Sequence, residues 1–336
     1  MKEFEKRNKV FIKSNNSVNK IFNRYLFSLI PYIILILIYN LIFGEKIIII
    51  NLTKSISVSL IISTIVQYIF NIINKQNNIK NIFLEDKILI ISIILGIFSI
   101  NNSLIIISIS SIITIIIKNT LKNTNISSVL YGILFILISN YYLNNLNTPL
   151  TNLSNLSYIS TFDNIVKPYG SILDYILGLS KQYISPIISI LVFIYLFYKK
   201  SIKYNIFISY ILTFSFIMLT FGMLNNMNIW YLFFQLTTGN ILFLSVFCLP
   251  DYPNTPITRE GQIIYGIILG LLTAILRFII PELSVVIPLI IGPILLTKII
   301  DKISLKLKYN KKYYYTVISI NITLVLITTI ILNTVI

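Results

Sequence analysis

Long apolar runs constrain this chain more than any other feature of its sequence. Stretches of about 16 to 22 predominantly apolar residues recur along its 336 residues. They are too long for strands, whereas an α-helix of this length crosses a hydrocarbon core of roughly 30 Å. With 56% hydrophobic and 11% charged residues, a soluble protein would lack the polar surface to cover its core. The sequence therefore predicts an all-α integral membrane protein, multi-pass in the lipid bilayer of the cell membrane.

The apolar pattern predicts about 10 to 11 transmembrane helices. A polar stretch, residues 144–170, separates the first five from the others. The predicted spans are 25–43, 55–73, 88–100, 104–117, 126–143, 185–198, 205–222, 230–249, 262–280, 285–297 and 315–335. We expect five regions: a basic arm (1–24), a first transmembrane repeat (25–143), a loop (144–170), a second repeat (171–300), and a basic linker with an extra C-terminal helix (301–336).

The distribution of basic residues predicts the orientation of the chain. Cytoplasmic loops next to membrane spans are enriched in Lys and Arg. With the N-terminus inside and alternating spans, 22 of the 27 basic residues fall on the cytoplasmic side. Lys46, Lys54, Lys167, Lys181 and Arg277 are the remainder. This asymmetry predicts a cytoplasmic N-terminus and an outward-facing loop 144–170.

Three apolar stretches are interrupted by polar residues or prolines. Asn101 and Asn102 interrupt one apolar stretch, residues 237–240 interrupt another, and Pro288 and Pro293 lie inside a third. Paired interruptions and an odd number of spans per half are typical of inverted-topology repeats with broken helices around a central site. For the asparagine pair, a simple turn at the membrane surface is the alternative.

Residue types that are absent exclude several functions. The chain has no His and a single cysteine, Cys248. It therefore cannot form a zinc site of cysteines and histidines, an iron-sulfur cluster, a Ser-His-Asp triad or a histidine-ligated haem. The net charge is +16, but the basic residues border apolar runs and the sequence contains no nucleic-acid-binding motif. We therefore expect no nucleic acid as a partner. We predict no metal ligands and no catalytic side chains, and redox chemistry would need an organic cofactor.

The most distinctive motif is DYPNTPITREGQIIYGIILGLLTAILR, residues 251–277. A proline-punctuated loop is followed by a helix in which Gly261, Gly266 and Gly270 are four or five residues apart, a spacing that permits close helix packing. This motif resembles the signature of the RnfD/NqrB family, which contains membrane subunits of the Rnf electron transport complex and of the sodium-translocating NADH:quinone reductase. In that family, a D-P-x-T-S-P-x-T-x-x-G loop leads into a glycine-spaced helix that ends in Leu-Ile-Arg.

Three further stretches are similar to elements of the same family. They are the basic arm and first helix (residues 9–34), the run GSILDYILG (residues 170–178) and, more loosely, LEDKILIISIILG (residues 84–96). In order, the four stretches cover residues 9–301. The resemblance implies a membrane flavoprotein subunit that passes electrons through FMN within an ion-translocating complex.

The resemblance also implies a site for the flavin. Family members carry FMN esterified through its phosphate to an outer threonine, about 26 residues before the aspartate of the G-S-x-L-D element. Counting back from Asp174 gives Thr148, although Asn145, Leu146 and Asn147 replace the family's Ser-Gly-Ala. The alternative is that Thr148 is an ordinary turn residue before a proline.

Other residues are candidates to bind this flavin. Arg277 and Lys181 are the outward cations expected to pair with its phosphate, or else to snorkel to lipid headgroups. Tyr141, Tyr142 and Tyr158 are candidates to stack on the ring, or else belong to an interfacial tyrosine belt.

The resemblance implies a redox role and a set of partners. We expect a subunit of an Rnf-type translocase that couples electron transport to Na+ or H+ movement, with other membrane and peripheral subunits as partners. A transporter or channel, or a scaffold subunit that has lost the flavin, is the alternative. A nicotinamide fingerprint is absent from the sequence, so a nicotinamide donor would bind another subunit.

Overall fold

The computed structural model describes residues 18–43, 46–73, 87–100, 102–121, 126–142, 184–225, 229–251 and 254–309. In this part of the chain the regular structure is helical and contains no strand, which confirms the predicted all-α fold. In chain order the helices are α1 Val18–Phe43, α2 Lys46–Ile73, α3 Ile88–Phe98, α4 Leu104–Thr120, α5 Val129–Tyr142, α6 Pro186–Tyr198, α7 Tyr204–Leu224, α8 Trp230–Thr237, α9 Ile241–Phe247, α10 Arg259–Ile279, α11 Val286–Ile291 and α12 Thr297–Tyr309. A 3-10 turn, Ile126–Ser128, precedes α5, and a π turn, Gly292–Leu296, joins α11 to α12.

Four of these helices are long and apolar enough to cross a membrane by themselves. The membrane-spanning segments are Lys20–Ile38, Ile49–Ile73, Tyr204–Leu224 and Arg259–Ile279. Large apolar side chains face outward along them, for example Ile61, Ile65 and Ile72 on α2. Such an apolar surface is unfavourable in water but favourable in contact with lipid. The chain is therefore a membrane protein, as its composition predicts.

Most helix boundaries lie close to the predicted ones, with three differences. Helix α1 starts at Val18, seven residues before the predicted first span and inside the predicted basic arm. Helix α2 starts at Lys46, nine residues before the predicted start of the second span. Helix α12 continues through residue 300, the predicted end of the second repeat. The predicted final span, 315–335, lies outside the described residues, and the inverted relation of the two repeats stays a prediction.

Small polar side chains hold the first half of the molecule together. Ser55 and Ser59 of α2, one helical turn apart, donate hydrogen bonds to the backbone carbonyls of Gly96 and Ser92 of α3, each at 2.8 Å. Gly96 has no side chain, which allows the backbone of α2 to approach closely at Ile56. Small residues promote this kind of packing between helices in lipid, where hydrophobic burial provides little driving force.

Two glycines bring α7 and α10 together in the second half. A Cβ at position 266 would collide with Ser209, and one at position 270 would collide with Thr213. The glycine spacing of the signature therefore serves close contact between these helices, as its sequence predicts. The contact fixes α10, whose two ends carry the polar features described below.

Helix α9 lies at the centre of the molecule, where every one of its residues is buried. Phe243 packs edge-on against Tyr32 of α1 at 5.1 Å between ring centroids, and lies 5.7 Å from Phe98 of α3. Tyr32 also donates a hydrogen bond to Ser189 of α6 at 3.0 Å. Residues of both halves therefore surround the short helix that follows the interruption at residues 238–240.

Candidate functional site

The interruption at residues 238–240 is a true break between two half-helices. Helix α8 closes with the amide of Thr238 bonded to Phe234 O at 3.0 Å, and α9 opens with Leu244 N bonded to Asn240 O at 2.9 Å. Between them, Gly239 (φ +70°) and Asn240 (φ +59°) are in the left-handed region. Glycine adopts this conformation without steric cost, and asparagine tolerates it better than most residues. The structure thus confirms the break predicted from the sequence.

The side chain of Arg277, near the end of α10, is inserted into this break. It is only 2% exposed. The guanidinium donates from Nε to Gln235 Oε1 at 3.0 Å, from Nη1 to Pro281 O and Ser284 Oγ at 3.2 Å each, and from Nη2 to Thr238 O at 3.0 Å and Thr238 Oγ1 at 2.8 Å. All three nitrogens therefore bond to acceptors of this chain, as a buried guanidinium requires.

Glycine at position 239 makes room for the guanidinium. A Cβ at this position would collide with Arg277 Nη1. The planar group lies beside the bare backbone of the break and bonds to carbonyls that helix α8 leaves without an intrahelical partner. The carboxyl end of a helix also carries partial negative charge, which favours a cation there.

The predicted flavin residues have different outcomes. Thr148, Tyr158 and Lys181 lie outside the described residues. Arg277 is described and points into the protein, so the alternative that it snorkels to headgroups is wrong. A flavin phosphate would have to displace the acceptors of the break to reach this guanidinium. Pairing of Arg277 with phosphate stays a prediction.

A second polar cluster lies at the other end of α10. In the signature loop, Thr255 and Pro256 are held by Lys203, which precedes α7. Lys203 Nζ donates to Thr255 Oγ1 and to the carbonyls of Thr255 at 3.2 Å and Pro256 at 3.4 Å. Thr258 caps α10 by accepting a hydrogen bond from Gly261 N at 3.1 Å. We call the end of the molecule that carries this cluster the loop end, and the opposite end the Arg277 end.

Two aspartates connect the loop end to other parts of the molecule. The carboxylate of Asp251 is buried and accepts a hydrogen bond at 2.8 Å from Ser127 N, in the 3-10 turn that precedes α5. The carboxylate of Asp301, on α12, accepts one from Ile257 N at 3.2 Å. The signature loop thus joins the first half to the second half and to α12.

Lys203 has a perturbed pKa because it is partly removed from water. Burial lowers the pKa of Lys203 from 10.5 to about 8, and the negative charges of Asp301 and Asp251 oppose this shift. The ammonium group therefore titrates near physiological pH.

Sequence reasoning missed the role of Lys203 and the inward direction of Arg277. A signal for Arg277 was present: Gly270 and Arg277 are seven residues apart, so they lie on nearly the same face of α10. Because that face is buried by close helix packing, Arg277 had to be buried as well. For Lys203 the sequence contains no comparable signal, since its partners are about fifty residues away.

The flanks of the 143–183 segment lie toward the Arg277 end. Residue Ser127, at the start of the 126–142 helical stretch, contacts the loop end, and this stretch extends for about 25 Å away from it. Helix α6 runs in the opposite sense, because it is followed by Lys203 at the loop end. Thr148 and Lys181 therefore belong to a segment whose described neighbours, Tyr142 and Ile184, are remote from the signature loop.

These features define a polytopic helical membrane protein in which a broken helix lies between two groups of spans, an architecture common among proteins that move ions or solutes. The family model described as the NQR2, RnfD, RnfE family matches residues 6–303. The chain therefore belongs to this family, and it is an Rnf- or Nqr-type subunit of a multi-subunit membrane complex. A comparison with individual curated proteins finds no significant match.

Proposed function

We propose that this chain is a membrane flavoprotein subunit of an Rnf-type electron transport complex that translocates Na+ or H+, and that it passes electrons through FMN bound at Thr148. The observation that carries the proposal is the family match over residues 6–303, which includes the signature loop and nearly the whole described bundle. FMN supplies the electron-transfer chemistry. The protein holds the flavin in position and keeps the flavin away from the loop end.

The course of the chain supports an outward location of Thr148. The segment that contains Thr148 leaves and re-enters the described structure away from the loop end. The loop end is rich in basic residues, among them Lys199, Lys298 and Lys302. Under the positive-inside rule this end is cytoplasmic, and Thr148 is on the outer side, where the flavin transferase of the family acts.

Among the described residues, two tyrosines fit an isoalloxazine ring. Tyr141 and Tyr142, at the end of α5, are largely exposed and form an edge-on pair with ring centroids 6.0 Å apart. Only five residues separate Tyr142 from Thr148, so a flavin attached there is within reach of these rings. Because Arg277 is engaged in the break, we assign charge compensation of the phosphate first to Lys181.

The test of the flavin is its covalent attachment. Wild-type chain, co-expressed with an active flavin transferase, is expected to show in-gel flavin fluorescence after denaturation and a mass increase of one FMN less one water. Thr148→Ala should lose both signals while the chain stays in the membrane. Thr151→Ala, three residues away, is the matched control and should keep both.

The departure from the family's threonine motif favours one alternative. Asn145, Leu146 and Asn147 replace the small residues that precede the threonine in the family. If the wild-type chain carries no phosphate-linked flavin in the presence of the transferase, the scaffold or transporter alternative replaces the redox proposal. A fluorescent signal that persists in Thr148→Ala would place the flavin elsewhere.

The orientation has its own test by single-cysteine labelling. Ile257 is 84% exposed at the loop end, so Ile257→Cys offers an accessible thiol there. Cys248 is buried and provides a silent background. A membrane-impermeant maleimide added to spheroplasts should label Thr151→Cys but not Ile257→Cys. The reverse pattern would contradict a cytoplasmic loop end.

A further inference from the structure

The broken helix α8–α9 presents carbonyl oxygens inside the bundle. In proteins that move ions, unwound backbone carbonyls at a helix break coordinate alkali cations. Here the carbonyls of Gln235 and Thr238 accept hydrogen bonds from Arg277 Nη2 at 3.4 and 3.0 Å. The space that a small cation would need at these oxygens is filled by a cation that belongs to the protein.

We propose that Arg277 is a specificity-determining residue: its guanidinium is a tethered cation that occupies the carbonyls of Gln235 and Thr238 at the break and excludes free alkali cations from them. The inference rests on the proposed ion-translocating function, since a subunit that moves Na+ or H+ must prevent passive leak. It assigns this task to one side chain at the Arg277 end.

Three observations support an electrostatic role beyond packing. The guanidinium is 2% exposed, so water screens its charge little. Its donors bond to carbonyl and hydroxyl oxygens, the ligands that a sodium ion would use. At the break itself Gly239 offers no side chain, and the guanidinium occupies the place where one would be. An arginine that projects into a narrow polar passage is a known means of excluding cations from a pore.

The first experiment separates charge from shape at position 277. Purified wild type, Arg277→Lys and Arg277→Gln are reconstituted into liposomes, and passive uptake of radioactive sodium is measured under an inside-negative potassium diffusion potential, without electron donor. Uptake is measured at about pH 5, because burial lowers the pKa of a lysine. At this pH Arg277→Lys keeps the charge and loses most of the hydrogen bonds, whereas Arg277→Gln loses the charge. We expect Arg277→Gln to raise sodium uptake about ten-fold or more, and Arg277→Lys to leave it near the wild-type value.

A second pair of variants keeps the arginine, and one of the two variants places an opposing charge beside it. Ser284 Oγ is buried and accepts a hydrogen bond from Arg277 Nη1 at 3.2 Å. Ser284→Asp places a carboxylate against the guanidinium, and Ser284→Asn is its neutral match in size. Sodium uptake should rise in Ser284→Asp and stay low in Ser284→Asn. This pair decides the question if Arg277→Gln does not fold.

The outcomes are distinct from those of the flavin test. Uptake that rises equally in Arg277→Lys and Arg277→Gln would show a loosened structure and overturn the proposal. Wild-type uptake in both folded Arg277→Gln and folded Ser284→Asp would overturn it as well. Because the assay contains no electron donor, an absent flavin changes none of these results, and the mass measurement on Thr148 fails or succeeds independently of sodium leak.

Discussion

Carbonyl oxygens of non-helical segments bind different cations near the two ends of α10. At each end a non-helical segment leaves carbonyl oxygens without helical hydrogen-bond partners. A cation that is distant in sequence then donates hydrogen bonds to one threonine of that segment, at the carbonyl and at the hydroxyl of the threonine. At the loop end the cation is Lys203 and the threonine is Thr255. At the other end they are Arg277 and Thr238. Lys203 is partly exposed and lies near two carboxylates, whereas Arg277 is buried.

This difference shows why the two cations are not interchangeable. Lysine is a compact, well-hydrated charge that loses its proton when its surroundings lower its pKa, which suits a site at the membrane surface. Arginine keeps its charge and spreads five donors over a plane, so it satisfies several carbonyls at once inside the bundle. A pH dependence of stability is therefore expected at the loop end, where Lys203 lies.

Removal of each cation should have unequal consequences. Arg277→Leu leaves several buried oxygens without donors and should lower the free energy of unfolding by about 3 to 5 kcal/mol. Lys203→Leu should cost about 1 to 2 kcal/mol, because water replaces the lost donor at a partly exposed site. Reversible unfolding in mixed micelles measures both. Equal losses of unfolding free energy in Arg277→Leu and Lys203→Leu would contradict this difference between the two ends.

The backbone of the break is the next most sensitive feature. Gly239→Ala places a Cβ in the left-handed region and against the guanidinium, so we expect a loss of about 2 to 3 kcal/mol. Ile257→Ala, in the loop at the other end, is the control, because that side chain is exposed. It should stay within about 0.5 kcal/mol of wild type. A Gly239→Ala protein as stable as wild type would show that the guanidinium does not occupy this space.

The pH dependence should be the smallest effect, and it should be confined to the loop end. Since burial lowers the pKa of Lys203 to about 8, the unfolded chain binds this proton more tightly than the folded one. The folded state therefore gains stability as the pH rises from about 8 toward 10.5. Relative to Lys203→Met, the thermal midpoint of wild type should rise by an amount of the order of 2 °C between about pH 7.5 and 9.5.

An exposed lysine provides the control for this measurement. Lys298 is exposed on α12, so Lys298→Met should follow the wild-type pH curve. A wild-type midpoint that falls relative to Lys203→Met over this range would mean that the carboxylates, and not burial, dominate the site.

The interruptions show what the sequence predicted and what it did not. Polar residues inside long apolar runs predicted both the turn between α3 and α4 and the break between α8 and α9, because lipid tolerates interrupted helices only where other groups satisfy the backbone. The two differ in how they are closed. At both, a hydroxyl donates back into its own helix, Ser99 Oγ to Leu95 O and Thr238 Oγ1 to Phe234 O, each at 2.7 Å. Only the break between α8 and α9 also receives hydrogen bonds from the distant Arg277.

Local sequence patterns predict helices, but they do not predict contacts between distant residues. Apolar length and helix-breaking residues are local, so helix boundaries and the break itself could be predicted. The contacts of Lys203 and Arg277 join residues about forty to fifty positions apart, and local pattern does not contain that information. Sequence reasoning also missed the serines of α2, whose spacing of four residues is a local signal for close contact between helices.

A double-mutant cycle between Arg277 and Gln235 tests most directly whether the guanidinium holds the break. Nε of Arg277 donates to Gln235 Oε1 at 3.0 Å, and both side chains are 2% exposed. Unfolding free energies of wild type, Arg277→Leu, Gln235→Met and the double variant give the coupling energy. We predict a coupling of about 1.5 to 3 kcal/mol, as expected of a buried charge-assisted bond. Losses that add to within about 0.5 kcal/mol would contradict the account.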